Sequence, residues 1–410
     1  LEPLYESSCR DQQAGFRRGR GCADQIFTLR RCLERRLRHG QPTVVCFIDF
    51  AAAFDSVHRS SMWAVLRKCG VPPLFTDIIR ELYHNASSTV RLPSGSTNSF
   101  PVNSGVRQGC VLSPMLFNLA LDWVMRKSIR PGDGVICSSV DTLCLCDLDY
   151  ADDIAIVQPS AQTCQDTLNR ISFKAAALGL KIKPSKTKAV YCNLPDPPNL
   201  SVDGEDIEVV DSFQYLGSVI SADKVASSVD IASRLAKASQ TFNRLRKWVF
   251  DRRDLTPNLK MKVYNAAVVS VLLYSSESWT FSADDLRTLE TFQMSSLRTI
   301  LGISLLQRIP NVQIRGQCNQ PTIERLIRIR RLRWVGHVAR MPPNRICNAL
   351  WRHPKPANWK CVRNAAKRTW DSLVAQDLSH MKSGYGSVVW SNHFEGIVSD
   401  LAADRKQWRC

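Results

Sequence analysis

Hydrophobic residues form three short runs that predict the strands of a central sheet. Residues 43–48 are apolar almost without interruption, which is typical of a strand covered on both faces. Two further runs, 142–148 and 154–157, are apolar and partly β-branched, and they flank Tyr150-Ala151-Asp152-Asp153. This order predicts strand, tight turn and strand, a hairpin with a pair of carboxylates at its tip.

Apolar residues at helical spacing predict that helices surround these strands. Leu168, Ile171, Ala175 and Leu178 share one face of a helix over residues 165–178. Helices are also predicted over residues 74–83, 114–127, 231–245, 259–273 and 323–338, and between Ser282 and Gly302. The pattern predicts an α+β fold, in which an antiparallel sheet is covered by helices and the chain beyond about residue 226 is helical.

The aspartates of the predicted turn indicate a metal site. Neighbouring side chains of a regular strand point to opposite faces, but a turn lets Asp152 and Asp153 reach one place. Two carboxylates at that distance repel each other, and a divalent cation with a preference for oxygen ligands, best of all magnesium, removes the conflict. A solvated aspartate turn is the alternative.

A third carboxylate and several polar blocks extend this prediction. Asp49 ends the apolar run 43–48, where a charge needs a partner such as a metal ion. Asp55 is predicted to cap the next helix. The stretch 104–114, with Gln108 and Gly109, is a glycine-containing loop before a helix, and glycine lets the backbone approach a ligand closely. The basic stretches 13–21 and 179–188 contain Arg17 and Lys186.

Composition narrows the class of protein. With 410 residues, 44% hydrophobic and 22% charged, the chain is predicted to be globular, with two or three domains. The longest apolar stretch, residues 263–274, is too short to span a bilayer, and no secretory signal opens the chain. Fifteen scattered cysteines then predict reduced thiols in the nucleus or cytoplasm. Cys318, His337, Cys347 and Cys361 match no standard zinc spacing.

The net charge of +18 predicts a polyanionic partner, either nucleic acid or an anionic membrane surface. The excess is concentrated in residues 308–368, which contain fifteen lysines or arginines and one acid, Glu324. Arginines alternate there with Trp334, Trp351 and Trp359, and Trp370 follows directly after the stretch. Such a stretch can hold phosphates and stack on bases, whereas the alternative is a small tryptophan core.

These blocks, in this order, resemble the reverse transcriptases of non-LTR (LINE-type) retrotransposons from about Gln13 onward. The resemblance implies that Asp49 and Asp152 bind two Mg²⁺ ions, that Asp153 supports them, and that Lys186 is a candidate acid for the leaving pyrophosphate. It implies that Phe54 excludes a 2′-hydroxyl. It further implies substrate contacts by Arg17, Gln108 and Gly109, a primer grip at Tyr215 and Gly217, and nucleic-acid contacts by Arg330, Arg331 and Arg333.

The resemblance also implies the architecture and the reaction. The fold would be that of a right-hand polymerase, with partial fingers and palm over residues 1–224, a helical thumb over 225–303 and a basic arm over 304–410. The reaction would be RNA-directed DNA polymerisation with an RNA template, a DNA primer or target, and dNTPs. Because only twelve residues precede Gln13, an outer part of the fingers is expected to be missing and polymerisation by the chain alone to be weak.

Two other functions remain open at this level. A decayed retroelement remnant would bind RNA or DNA without polymerising, but it would be expected to lose carboxylates that this sequence keeps. A polymerase similar to a group II intron maturase would share the palm, but it would lack the stretch Arg330-Arg331-Leu332-Arg333-Trp334-Val335-Gly336-His337.

Overall fold

The computed structural model describes residues 1–138, 143–195, 197–222, 227–363, 365–366 and 368–379. The described chain divides into two compact units. The sheet unit comprises Leu1–Leu29, Gly40–Asp211 and Pro354–Trp359. The helical unit comprises Arg30–His39, Ser212–His353 and the described residues from Lys360 onward. Residue 142 of the predicted first hairpin strand and residues 380–410 of the predicted arm lie outside the described residues.

A five-stranded sheet forms the centre of the sheet unit. Its strands lie in the order Glu208–Val209, Lys188–Cys192, Thr43–Ile48, Asp153–Gln158 and Asp147–Tyr150. The first pair is parallel, and the other three pairs are antiparallel. All six residues of the central strand Thr43–Ile48 are buried, as its continuous apolar sequence predicts. The prediction of an antiparallel sheet is confirmed for these three pairs, including the strand that precedes Asp49 beside the aspartate hairpin, whereas the pair at the edge is parallel.

Helices bury the apolar side chains of this sheet. Helix Ala161–Ala176 packs on strands Thr43–Ile48 and Asp153–Gln158 and against helix Ser113–Ser128. It begins before the predicted residue 165 because the Ser160 hydroxyl accepts a hydrogen bond from the Thr163 amide and caps the helix. The other helices are Glu2–Ser8, Ala53–Ser56, Arg59–Lys68, Pro73–Leu82 and Cys22–Arg38, the last of which divides between the two units after Leu29.

Four small strand pairs complete the described part of the sheet unit. They are Ser87–Ser88 with Phe100–Pro101, Arg91–Leu92 with Gly95–Ser96, Val135–Ile136 with Cys144–Leu145, and Ser201–Val202 with Glu205–Asp206.

The main segment of the helical unit, from Ser212 onward, starts with the hairpin Ser212–Tyr215 and Ser218–Ser221. As predicted, Ser282 caps helix Ala283–Leu301 and Gly302 ends it in the left-handed conformation, with a φ of 69°. The predicted helix 259–273 is instead divided into Pro257–Val263, the π-helix Tyr264–Val269 and Ser270–Leu272. The other helical segments are Ser228–Leu245, Arg246–Phe250, Ser276–Ser278, Leu305–Gln307, Asn311–Gln317, Ile323–Ala339, Ile346–Arg352 and Trp370–Ser379.

For three of the four tryptophans in and directly after the basic stretch, the structure decides between base stacking and a tryptophan core, whereas Trp334 is half-buried. Trp351, Trp359 and Trp370 are all buried, so these rings contribute to packing and are not available to stack on bases. Among the described residues, no helix is both long enough and apolar enough to cross a membrane.

Candidate active site

The sheet unit brings three carboxylates to one end of two adjacent strands. Tyr150 pairs with Asp153, so Ala151 and Asp152 form the turn of the hairpin. Because the sequence resemblance implies a catalytic role for its aspartates, we call residues 150–153 the catalytic turn. On the neighbouring strand Ile48 pairs with Ile154, and Asp49 is therefore the residue opposite Asp153. Register alone thus places Asp49 beside Asp153 and next to the turn that carries Asp152.

The electrostatics of these carboxylates show that they act on one another. Partial burial, and then the charges of Asp152 and Asp49, raise the pKa of Asp153 to about 6. Partial burial and the charge of Asp49 also raise the pKa of Asp152. Lys186 offers only weak compensation, because its Nζ lies 3.9 Å from an Asp49 oxygen and both side chains reach solvent. The site therefore holds an excess of negative charge.

Backbone contacts explain why Lys186 is near Asp49. The Lys183 amide donates to the Asp49 carbonyl at 2.8 Å, and the Ala51 amide donates to the Lys181 carbonyl at 2.8 Å. The Thr187 hydroxyl accepts from the Asp49 amide at 3.3 Å. The basic block 179–188 is thus fixed along the backbone that carries the first carboxylate.

The chemistry of this donor set fits divalent cations, which prefer carboxylate oxygens. Among the described residues, no three His, Cys, Asp or Glu side chains are already arranged as a metal-binding shell. The fit rests on the donor type and on the uncompensated charge, which an added cation would relieve.

The loop with Gln108 and Gly109 is held by the segment that follows Asp49. The Asp55 carboxylate accepts from Gln108 Nε2 at 3.1 and 3.2 Å, so Asp55 orients this amide and does not cap the next helix as predicted. The amide of Gly105 donates to the Val57 carbonyl. A Cβ on Gly105 would lie 2.6 Å from the Asp55 Cα, so only glycine fits there.

Phe54 lies in the same segment as Asp55 and is half-buried. Its ring stacks on Phe117 with centroids 4.3 Å apart, and it also packs against the hydrophobic core of the sheet unit. The backbone carbonyl of Phe54 accepts from the Val106 amide at 2.7 Å. The backbone of Phe54 is therefore hydrogen-bonded to the loop that carries Gln108, while its ring packs on the hydrophobic core.

Arg17 lies in another part of the sheet unit, and its side chain makes several intramolecular contacts. Its buried guanidinium contacts the Glu6 carboxylate at 3.1 Å and donates to the backbone carbonyls of Glu6, Arg10 and Gln13. The neighbouring Arg18 is exposed. These contacts favour a structural role for Arg17.

The predicted primer-grip residues lie in the helical unit. Tyr215 is buried, and Gly217 occupies the hairpin turn with a φ of 80°. The Gly217 carbonyl accepts from the Arg234 guanidinium, and the Leu216 carbonyl accepts from the Tyr274 hydroxyl at 2.9 Å.

The three arginines of helix Ile323–Ala339 differ in their surroundings. Arg333 is exposed, and Arg330 is partly buried and donates to the Leu273 carbonyl at 2.9 Å. Arg331 is almost fully buried, with its Nε 2.9 Å from an Asp377 oxygen. The fold uses the charge of Arg331 internally, whereas that of Arg333 faces solvent.

The sequence patterns missed a buried ionic cluster next to the site. Arg10 contacts Asp122 at 2.9 Å, Asp147 at 2.7 Å and Asp149 at 2.6 Å. Two of these acids precede the catalytic turn in a strand predicted to be apolar. The acids in residues 147–149 were a visible signal, but nothing in the sequence indicated Arg10 as their partner.

Comparison with known proteins supplies the family. The model of the reverse transcriptase (RNA-dependent DNA polymerase) family matches residues 1–220. A putative uncharacterized transposon-derived protein of Caenorhabditis elegans is 27% identical over 277 residues, which cover 64% of this chain and 94% of that protein.

Two retrotransposon proteins are longer than the chain. The Pol polyprotein of the R2 element of Popillia japonica is 23% identical over 70% of this chain and 47% of its own length. The RNA-directed DNA polymerase of the mobile element jockey of Drosophila funebris is 23% identical over 73% of this chain and 33% of its own length. The chain thus spans less than half of each.

Among solved structures, apo telomerase of Candida tropicalis aligns with a TM-score of 0.39 and 11% identity, over 87% of this chain and 60% of that one. That score is too low to carry any assignment. The family model covers more than half of the 410 residues, and the R2 and jockey matches confirm the resemblance to non-LTR retrotransposon enzymes. The fold is that of a right-hand polymerase, and the chain belongs to the reverse transcriptase (RNA-dependent DNA polymerase) family.

Proposed function

We propose that this chain adds deoxynucleotides to a primer 3′-hydroxyl, directed by an RNA template, in a non-LTR retrotransposon. The observation that carries the proposal is the meeting of Asp49, Asp152 and Asp153 at one end of the sheet with an excess of negative charge. Phosphoryl transfer from a nucleoside triphosphate depends mainly on positioning and on electrostatic stabilisation, and such a carboxylate site suits both.

Asp49 and Asp152 would hold two Mg²⁺ ions, with Asp153 supporting them. When bound, the ions would favour ionisation of the primer hydroxyl and offset charge on the phosphates. Lys186, which lies 3.9 Å from Asp49, would hold a proton near the leaving pyrophosphate. Phe54 would close the pocket to a 2′-hydroxyl, and Gln108, oriented by Asp55, would lie with Gly109 against the new base pair.

The helical unit would bind the nucleic acid itself. We propose a thumb over residues 225–303 and a basic arm over 304–410, following the fingers and palm of residues 1–224. Tyr215 and Gly217 would form the primer grip, and Arg330 and Arg333 would contact phosphates. The net charge of +18 supports this role, and binding should therefore weaken steeply as salt is added. The burial of Arg331 and Arg17 favours structural roles for these two residues.

A primer-extension assay on poly(rA)/oligo(dT) with Mg²⁺ tests the proposal. We expect weak but measurable extension by the wild-type chain and a loss of at least about 10²–10³-fold in Asp152→Asn, since a lost charge-stabilising group costs roughly that much. Asp203→Asn is the matched control, because Asp203 is an exposed aspartate in the turn of another hairpin. Template binding without extension by the wild-type chain would instead support the remnant that only binds nucleic acid.

A Phe54→Val variant tests the proposed choice of sugar. The smaller side chain should raise the efficiency of ribonucleotide incorporation relative to dNTPs, because the ring would no longer clash with the 2′-hydroxyl. Phe117→Leu removes the partner of the stacked pair and serves as the control for altered packing. An unchanged ratio in Phe54→Val would leave Phe54 as a packing residue only.

A further inference from the structure

One buried amide contacts the backbone of the catalytic turn directly. Gln13 has no exposed surface, and its Oε1 accepts hydrogen bonds from the Ala151 amide at 2.9 Å and the Gly15 amide at 2.8 Å. Its Nε2 lies 3.5 Å from the Ala151 carbonyl. A single side chain therefore faces both polar backbone groups of Ala151.

Ala151 is the residue of the turn that most needs such support. Its φ is 54°, in the left-handed region that residues with a Cβ rarely adopt. Strained backbone of this kind persists only where the surrounding structure holds it. Ala151 is also buried, so its amide depends on a protein acceptor. Gln13 supplies that acceptor, immediately before Asp152.

The segment that carries Gln13 is itself fixed along the hairpin. The Ala14 amide donates to the Asp149 carbonyl at 2.9 Å, and the Asp149 amide donates to the Gln12 carbonyl at 3.1 Å. Gly15 packs so closely that an added Cβ would lie 2.3 Å from the Ala151 nitrogen. The Gly15 carbonyl accepts from Asn118 Nδ2 at 2.7 Å. The backbone on both sides of Gln13 is thus held against the hairpin by hydrogen bonds and close packing.

We propose that Gln13 is a positioning residue for Asp152 and Asp153, acting through the backbone of Ala151. Its catalytic consequence rests on the proposed function, in which these carboxylates hold the metal ions. A turn without this amide would sample other conformations, and the carboxylates at its tip would lose the spacing that joint binding of a cation requires. We expect the protein still to fold, because Ala151 is not a member of the hydrophobic core cluster that packs on the sheet.

Gln25 provides a matched control. It is also a buried glutamine, and its Nε2 donates to the carbonyls of Asp149 at 2.7 Å and Gln12 at 2.6 Å. Gln25 therefore joins the same two segments, but it does so at Asp149, two residues before Ala151. Gln13→Met and Gln25→Met each remove the hydrogen bonds of one amide and retain a long side chain. Gln13→Glu retains an acceptor for the Ala151 and Gly15 amides.

The experiment compares these variants in the full 410-residue chain by Tm, by Mn²⁺ affinity and by primer extension. We expect Gln13→Met and Gln25→Met to lower Tm by similar amounts. Gln13→Met should weaken Mn²⁺ binding by about tenfold and lower kcat by about 10²-fold, the scale expected for misplaced catalytic groups, with little change in KM for the primer-template. Gln25→Met should change the Mn²⁺ affinity and kcat by no more than about threefold. Gln13→Glu should recover much of the Mn²⁺ affinity and kcat that Gln13→Met loses.

The outcomes separate the two proposals. Equal effects of Gln13→Met and Gln25→Met on Mn²⁺ affinity and kcat would overturn the positioning role while leaving the polymerase assignment intact. If the wild-type chain binds Mn²⁺ but does not extend a primer, the Mn²⁺ affinities of Gln13→Met and Gln25→Met still test the positioning role of Gln13. A wild-type chain that neither binds Mn²⁺ nor extends a primer would overturn both proposals.

Discussion

The hairpin around the catalytic turn carries two groups of carboxylates with opposite surroundings. Asp147 and Asp149, at the inner end, are buried and share Arg10 with Asp122. Asp152 and Asp153, at the tip, reach solvent and face Asp49 on the next strand. The two groups are separated by two residues of backbone.

The difference between these groups lies in where their counter-charge comes from. The fold itself supplies Arg10 to the inner group, although burial and the Asp147 charge still raise the pKa of Asp149 well above its usual range. Among the residues that the structure describes, the basic side chain within 4 Å of the outer group is that of Lys186, whose Nζ lies 3.9 Å from an Asp49 oxygen. Buried carboxylates that an internal arginine holds in place serve stability, whereas solvent-accessible carboxylates with only weak compensation are open to an external cation.

The largest effect should follow from breaking the inner group. We expect Arg10→Met to lower the free energy of unfolding by about 3–5 kcal/mol, since loss of one partner leaves buried carboxylates uncompensated. Chemical denaturation measures this change. Arg126→Met is the control, because Arg126 contacts the same Asp122 from a half-exposed position and should cost about 1 kcal/mol or less. Equal losses in the two variants would contradict the distinction between the groups.

Divalent metal should stabilise only through the outer group. At a Mn²⁺ concentration about a hundredfold above its Kd, the wild-type chain should gain about 2.7 kcal/mol, because the ion binds the folded state alone. Thermal unfolding with and without metal measures the gain. Asp152→Asn should lose most of it, whereas Asp203→Asn should retain it. A full gain in Asp152→Asn would exclude the catalytic turn as the metal site.

The smallest effect concerns the pH dependence of the metal-free chain. The pKa of Asp153 is raised to about 6 in the folded state, so protonation favours folding, and this contribution is lost as the pH rises through about 6. Asp153→Asn should therefore raise the metal-free Tm at pH 7 by about 2–4 °C, the shift that about 1 kcal/mol produces, since solvent screens much of the repulsion.

The difference in Tm between Asp153→Asn and the wild type should shrink when the pH is lowered from 7 to 4.5. At the lower pH the wild-type carboxyl is protonated and the repulsion is already relieved. A difference that does not change with pH would show that Asp153 is not held near Asp49 and Asp152 in solution.

The sequence alone determined the features that depend on local patterns. Continuous burial of strand Thr43–Ile48 followed from its unbroken apolar run, and the hairpin followed from two apolar runs around a polar turn. The cap at Ser282 and the left-handed end at Gly302 followed from residue types with strong positional preferences. The adjacency of Asp49 and the turn was predicted from the family's order of motifs and is present in the register of the strands.

Only the tertiary structure determined which polar side chains are used in intramolecular contacts and which remain exposed to solvent. Arg331 and Arg333 stand two positions apart in one basic helix, yet one is buried against Asp377 and the other is exposed. Arg10 and Gln13 lie more than a hundred residues from the hairpin that they contact. A charge or an amide can serve stability or chemistry equally well, and long-range contacts select between the two by setting its partners and its access to water.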